Sequence, residues 1–246
     1  MSDCRKSPIF HCPDTKGGHI YYPYFLYSRT IEHRPIFKGL KTEPFIADLS
    51  PGSPLLKGID VRDQQGLQNA LDMEMGSEYS WGVSAYLERR ETLLGDCPQM
   101  MAEKRFIHLG LDVIVDLGAP LFAPLDAIVE ASGYEGGEGN YGGYVLLKHK
   151  SPFFKTFYSF YGHLCKDGLP AAGKVFPAGA AFAKIGDFYE NGNWFYHTHI
   201  QVITRKGLER GYLSKGYCNE KDLVQMNDLC PSPIPLFRID EKHSFL

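Results

Sequence analysis

The chain has 246 residues, 43% of them hydrophobic, which suffices for one substantial core with an added subdomain. A net charge of -3 argues against the basic surface that nucleic acid or an anionic membrane selects. No apolar run approaches the roughly 20 residues needed to span a membrane. The first segment, MSDCRKSPIFHCPDTKGGHIYY, is polar, carries Pro13, Gly17 and Gly18, and lacks the apolar stretch of a secretory signal, so the sequence as given reads as cytoplasmic.

Residues 1–103 read as an α/β extension of unknown role, rich in turn signals such as YYPYF at 21–25 and SPGSP at 50–54. GLQNALDMEM and AYLERRETLL are each expected as a short helix; in the second, Tyr86, Arg89, Arg90 and Leu93 fall at helical spacings. That helix either presents a solvated face or turns Glu88, Arg89 or Arg90 towards a cleft, where a guanidinium would suit a substrate carboxylate.

From 104 to 204 the pattern changes to short alternating runs broken by glycine. FIHLGLDVIVD, APLDAIVEASGY, GGYVLLKHK, KTFYSFYGHL, AAFAKIG and HTHIQVIT all read as strands. EGGEGNYGG lacks the lysine and hydroxyl residue of a phosphate loop and reads as a hairpin turn. The expected fold is mainly β: a compact antiparallel sheet over 104–204, with residues 205–246 as an irregular tail packing on it. The six cysteines, at 4, 12, 97, 165, 218 and 230, form no C-x-x-C pair and are expected as free thiols.

Three of these strands carry metal-competent groups. Alternate strand residues share a face, so His108 and Asp112 point one way, and Leu109, Leu111, Val113 and Val115 the other. Gly110, between His108 and Asp112, leaves space for an atom. In YHTHIQV, His197, His199 and Gln201 share one face; Thr198, Ile200 and Val202 share the other. His163 ends an aromatic strand, where Ser159 and Tyr161 are expected on its face. Four of the nine histidines and one aspartate fall in these motifs.

The order H-x-x-x-D, Y-x-H-L, H-x-H resembles the M23 family of zinc metallopeptidases, the lysostaphin-like or LytM-like enzymes. APLDAIVEASG and YGGYVLLKH also resemble that family's intervening segments. The resemblance implies an antiparallel β core and a zinc ion (Zn2+) held by His108, Asp112 and His199, with His163 and His197 as the catalytic pair. It implies hydrolysis of a peptide amide bond. Three protein ligands leave a fourth position open, as catalytic zinc requires, and two further imidazoles beside it suit proton transfer and charge stabilisation. Two other readings share these residues: a cytosolic zinc amidase acting on a small molecule, and a metal-binding module that has lost hydrolysis. Gln201 stands where the family often has Glu, either orienting a ligand or simply exposed. Cys165 either faces the site or packs. GDFYENGNW departs from the common family pattern and resembles the M23-like segment of some bacterial aminotransferase fusion proteins. Asp187, Glu190, Asn191, Asn193 and Trp194 in it either shape the pocket or form a turn.

Overall fold

Runs of aliphatic and aromatic residues between glycine turns form strands, as a pleated, half-buried surface favours. The computed structural model describes residues 33–40, 43–151 and 154–238; Cys4, Cys12 and YYPYF lie outside the described residues. In chain order it holds β1 (Phe45–Ile46), α1 (Gln64–Met75), β2 (Gly82–Ser84), α2 (Glu91–Leu94), α3 (Pro98–Glu103), β3 (Ile107–His108) and β4 (Leu111–Ile114). Then follow β5 (Pro120–Phe122), β6 (Ala127–Glu135), β7 (Gly142–Ser151), β8 (Phe154–Leu164), β9 (Val175–Phe176), β10 (Ala181–Lys184) and β11 (His197–Thr204). The chain closes with α4 (Arg205–Glu209), β12 (Tyr217–Cys218) and α5 (Met226–Leu229), separated by short 3-10 turns.

Eight strands form one sheet in the order β1-β2-β4-β11-β8-β7-β6-β9. All its pairings are antiparallel except β1 with β2, so the protein is mainly β, as expected. β1 and β2, from the N-terminal region, extend the sheet beyond β4. EGGEGNYGG is the hairpin turn between β6 and β7, with Gly137, Gly139 and Gly142 at positive φ.

Both faces of the sheet are covered. On one, Leu111, Val113, Val145, Leu147, Tyr161 and Ile200 pack with Leu121, Phe182, Trp81 and Phe237. On the other, Leu146, Phe160 and Ile203 pack with Tyr212, Met226, Leu229 and Cys230. Each such side chain contributes ~1.5–3 kcal/mol by leaving water. The C-terminal segment is therefore regular in part: it carries two short helices, and β12 pairs with β3.

A third cluster joins Leu67 and Leu71 of α1 to Leu93, Leu94 and Met100, against Ile114, Trp194 and Phe195. Asp63 caps α1 by accepting from the Gly66 amide. Gln68 of α1 accepts from the Tyr196 amide at 2.7 Å and so fixes the entry to β11. GLQNALDMEM is helical as expected. AYLERRETLL is helical only over Glu91–Leu94. Leu87 takes a φ of 64°, and the backbone around it pairs with residues 106–108 instead: Leu87 donates to His108, His108 to Glu88, and Arg90 to Phe106. Pairing along β3 thus replaces a helical turn.

FIHLGLDVIVD is not one strand either. It breaks at Leu109–Gly110, so that β3 pairs with β12 while β4 joins the main sheet. Among the described residues, Cys97, Cys165, Cys218 and Cys230 are free thiols, and no helix is long and apolar enough to cross a membrane.

His149 is fully buried, donating Nδ1–H to the Asp126 carbonyl (3.2 Å) and accepting from the Ser159 hydroxyl at Nε2 (2.7 Å). Burial lowers its pKa from 6.5 to about 4. Between those values the unfolded chain takes up a proton that the folded chain excludes, so stability rises with pH through this window. Such a shift corresponds to ~3 kcal/mol. Urea unfolding of metal-free protein is expected to show stability falling as pH drops from about 6.5 to about 4; a flat profile would contradict a neutral buried His149.

Candidate metal centre

Strand register brings the site together. Asp112 of β4 lies directly opposite His199 of β11 on one side and Ser84 of β2 on the other. His108, delivered by β3 across the kink, comes within 3.1 Å of Asp112 Oδ1 through its Nε2. His199 Nδ1 lies 3.2 Å from the same oxygen and 2.9 Å from His108 Nε2. These three buried residues are the one group among the described residues with three ligand atoms close enough to hold a metal ion.

The outer hydrogen bonds fix the protons. The Ala85 carbonyl, 2.9 Å from His108 Nδ1, can only accept, so Nδ1 carries the hydrogen and Nε2 presents a lone pair to the centre. Gln201 directs its amide nitrogen at the Lys215 carbonyl, which leaves Oε1 to accept from His199 Nε2–H at 2.9 Å and turns the Nδ1 lone pair inward. Two imidazole lone pairs and a carboxylate oxygen therefore meet with no donor between them. Such a set is repulsive without a cation and suits a metal that takes nitrogen and oxygen ligands.

Burial lowers the His108 pKa to about 3, with the positive charge of Arg90 acting the same way. Burial opposes ionisation of Asp112, but the neighbouring histidines and Arg90 outweigh it and hold its carboxyl well below the usual range. Arg90 is the largest polar group buried here. It donates to Asp112 Oδ2 at 2.7 Å, to Glu88 Oε2 at 2.8 Å, to the Ser84 hydroxyl, and to the Tyr217 hydroxyl at 3.2 Å. Ser84 adds a donor to Asp112 Oδ2 at 3.1 Å. One carboxylate oxygen is thus held by Arg90 and Ser84 while the other faces the histidines.

His197 and His163 stand beside this group. His197 donates Nδ1–H to the Phe195 carbonyl at 2.8 Å, and its Nε2 lies 3.8 Å from Asp112 Oδ1. The His163 ring is 4.3 Å from that of His197, and its Nδ1–H is held by the Asn191 carbonyl at 2.7 Å. Burial lowers the His197 pKa to about 4 and, with the His197 charge, puts His163 well below its ordinary value. His163 has a φ of 63°, an uncommon conformation for a residue with a side chain. This turns its ring off the Ser159–Tyr161 face, on which it was expected, and onto the Phe160 face. Tyr161 packs in the opposite core with Phe182.

The other candidates sort by contact. Gln201 is fully buried and orients His199. Asn191 is also fully buried: its side chain bonds the Trp194 amide and carbonyl, while its carbonyl holds His163. Trp194 lines the pocket beside the histidines; Asp187 and Glu190 do not line it, and Asn193 forms a turn with a φ of 65°. Cys165 is buried outside the pocket. Arg89 pairs at the surface with Glu91 and Glu220. The space beside Gly110 holds the His199 ring: a Cβ there would lie 2.7 Å from His199 Nε2 and 2.8 Å from Nδ1.

A pocket opens onto His163, His197 and His199, walled by Tyr141, Trp194 and Tyr217 among others. The chain matches no family model and no curated protein. Among solved structures it is similar to a zinc containing peptidase from Vibrio cholerae: 25% identity over 41% of this chain and 28% of that one, TM-score 0.33. It is also similar to the catalytic domain of the antimicrobial peptidase lysostaphin from Staphylococcus simulans: 16% identity, 49% and 80% covered, TM-score 0.34. A third similarity is to a catalytic-domain variant of the prophage-encoded M23 protein EnpA from Enterococcus faecalis: 19% identity, 46% and 75% covered, TM-score 0.34. The chain thus spans 28% of the Vibrio cholerae peptidase.

Gly110→Ala is expected to displace the His199 ring and weaken the affinity of the centre for an added divalent metal about 10- to 100-fold, as losses of ligand support do. Competition with a chelator measures it, and unchanged affinity would contradict the packing described. Arg90→Met leaves Asp112 and Glu88 buried without their cation. A loss of ~3–5 kcal/mol in unfolding free energy is expected by denaturant titration.

Proposed function

We propose that the protein is a zinc-dependent, M23-like hydrolase that cleaves a peptide amide bond. The observation that carries this is the proton arrangement: three lone-pair atoms of His108, Asp112 and His199 converge without a donor, and two neutral imidazoles stand beside them at the wall of a pocket. On this reading the segment 104–204 is the hydrolytic core, and GDFYENGNW resembles the form carried in some bacterial aminotransferase fusion proteins.

His108 Nε2, Asp112 Oδ1 and His199 Nδ1 would hold the ion. Bound zinc would polarise a carbonyl and acidify water at the open position. The chain's own residues then divide the proton work. His197 and His163 each have Nδ1–H tied to a backbone carbonyl, so each offers Nε2 as a base. Rings 4.3 Å apart disfavour double protonation, so the pair carries one proton at a time. One imidazole accepts it from the attacking water, and the pair returns it to the departing amine nitrogen. The resulting imidazolium also stabilises negative charge developing on the carbonyl oxygen. The depressed histidine pKa values keep both bases neutral at pH 7.

The test pairs zinc content with hydrolysis of a panel of glycine-containing peptides. His197→Ala and His163→Ala are expected to keep zinc and lose about 10²–10³ in turnover. His199→Ala is expected to lose metal affinity and activity together. If His197→Ala loses zinc while His199→Ala keeps it, the roles are reversed. If the zinc-loaded parent cuts no peptide, the peptidase reading fails in favour of a small-amide substrate or a module that only binds metal.

A further inference from the structure

Arg105 sits where α3 hands the chain to β3. Lys104 takes a left-handed φ of 52° as the cap of α3, and the Arg105 amide returns to the Met100 carbonyl at 2.9 Å. This turn tucks the side chain inward until only 7% of the residue is exposed, in the pocket that also holds His163, His197 and His199.

The guanidinium is under-used there. Its Nη2 reaches the Gln99 carbonyl at 3.4 Å, a long bond. Its Nε lies 3.2 Å from Glu103 Oε2 without hydrogen-bond alignment, and that oxygen is shared with Lys215 at 3.1 Å. Its Nη1 has no partner among the described residues. Arg90, the other arginine of this pocket, is engaged through all three of its nitrogens. A buried cationic donor without an acceptor is unfavourable, and an entering anion relieves it. The one acid lining the pocket, Glu135, makes no ion pair or hydrogen bond with Arg105.

We propose that Arg105 anchors a carboxylate of the substrate, so that the pocket selects an anionic peptide over its neutral counterpart. This rests on the hydrolase reading above and narrows its substrate class. The planar guanidinium fork matches a carboxylate in a way that an ammonium does not. The carboxylate comes either from a free C-terminus or from an acidic side chain, and both present the same group to the pocket.

Calorimetric titration of metal-free protein tests this without recourse to turnover and removes direct carboxylate–metal binding. Two matched pairs serve as probes: N-acetyl-triglycine against its amide, and N-acetyl-Gly-Gly-Glu amide against the Gln peptide. Wild-type protein is expected to bind the acid of at least one pair about 10- to 100-fold more tightly, the range of a charge-assisted hydrogen bond. The selective pair identifies the source of the carboxylate. R105Q is expected to bring that ratio close to one, and R105K to leave part of it. Equal or undetectable binding of both members of each pair by wild-type protein overturns the proposal, as does selectivity that persists in R105Q. Hydrolysis of the same peptides by zinc-loaded wild-type protein is read separately. Selective binding without cleavage sinks the peptidase reading and leaves the anchor standing; cleavage with no preference for acids sinks the anchor alone.

Discussion

The Asp112 carboxylate is the point on which the structure turns. One oxygen is bound by Arg90 and Ser84; the other is within reach of His108, His197 and His199. A buried carboxylate needs both a cation and donors to remain charged. Arg90 meets the first need permanently, and this leaves the inner oxygen oriented towards the histidines. The position of Arg90 in turn depends on the pairing of residues 87–90 with 106–108, on Glu88 and on Tyr217. The N-terminal and C-terminal regions therefore both reach the centre, and neither is a mere covering of the sheet.

Much of this was legible in the residues. The strand period places His197, His199 and Gln201 on one side of β11 and buries Ile200 and Val202 on the other, because side-chain direction in a regular strand follows from parity alone. Parity fails where the backbone is not regular. The left-handed conformation of His163 reverses its face, and the kink at Leu109–Gly110 splits one expected strand between two sheets. No local pattern marks either, since both are imposed by partners far along the chain: Tyr141 and Gly186 for the first, Gly216 for the second.

The arginines show the same limit. Helical spacing in AYLERRETLL is genuine, but strand pairing with residues 106–108 outweighs it. The sequence offers Arg89 or Arg90 either to a solvated face or to a substrate carboxylate. Arg90 binds a carboxylate of the protein itself, and the under-used guanidinium belongs to Arg105. Charge type can be read from sequence; whether a charge is already satisfied depends on tertiary contacts. Gln201 makes the point from the other side, since only burial decides between an exposed strand residue and one that orients a ligand.

The hydrogen bond from Arg90 to Tyr217 spans 127 residues of chain. Contacts that close such long loops form late, because the entropy of closure precedes any gain from them. The members of the centre lie on β2, β3, β4, β11 and β12, with Arg90 between the first two, so only a fragment running from β2 through β12 contains them all. A chain still emerging from the ribosome presents scattered imidazoles without the geometry to retain a metal. Assembly of the three-ligand centre is in this way coupled to completion of the fold, and a partly made molecule has no such centre to offer a metal.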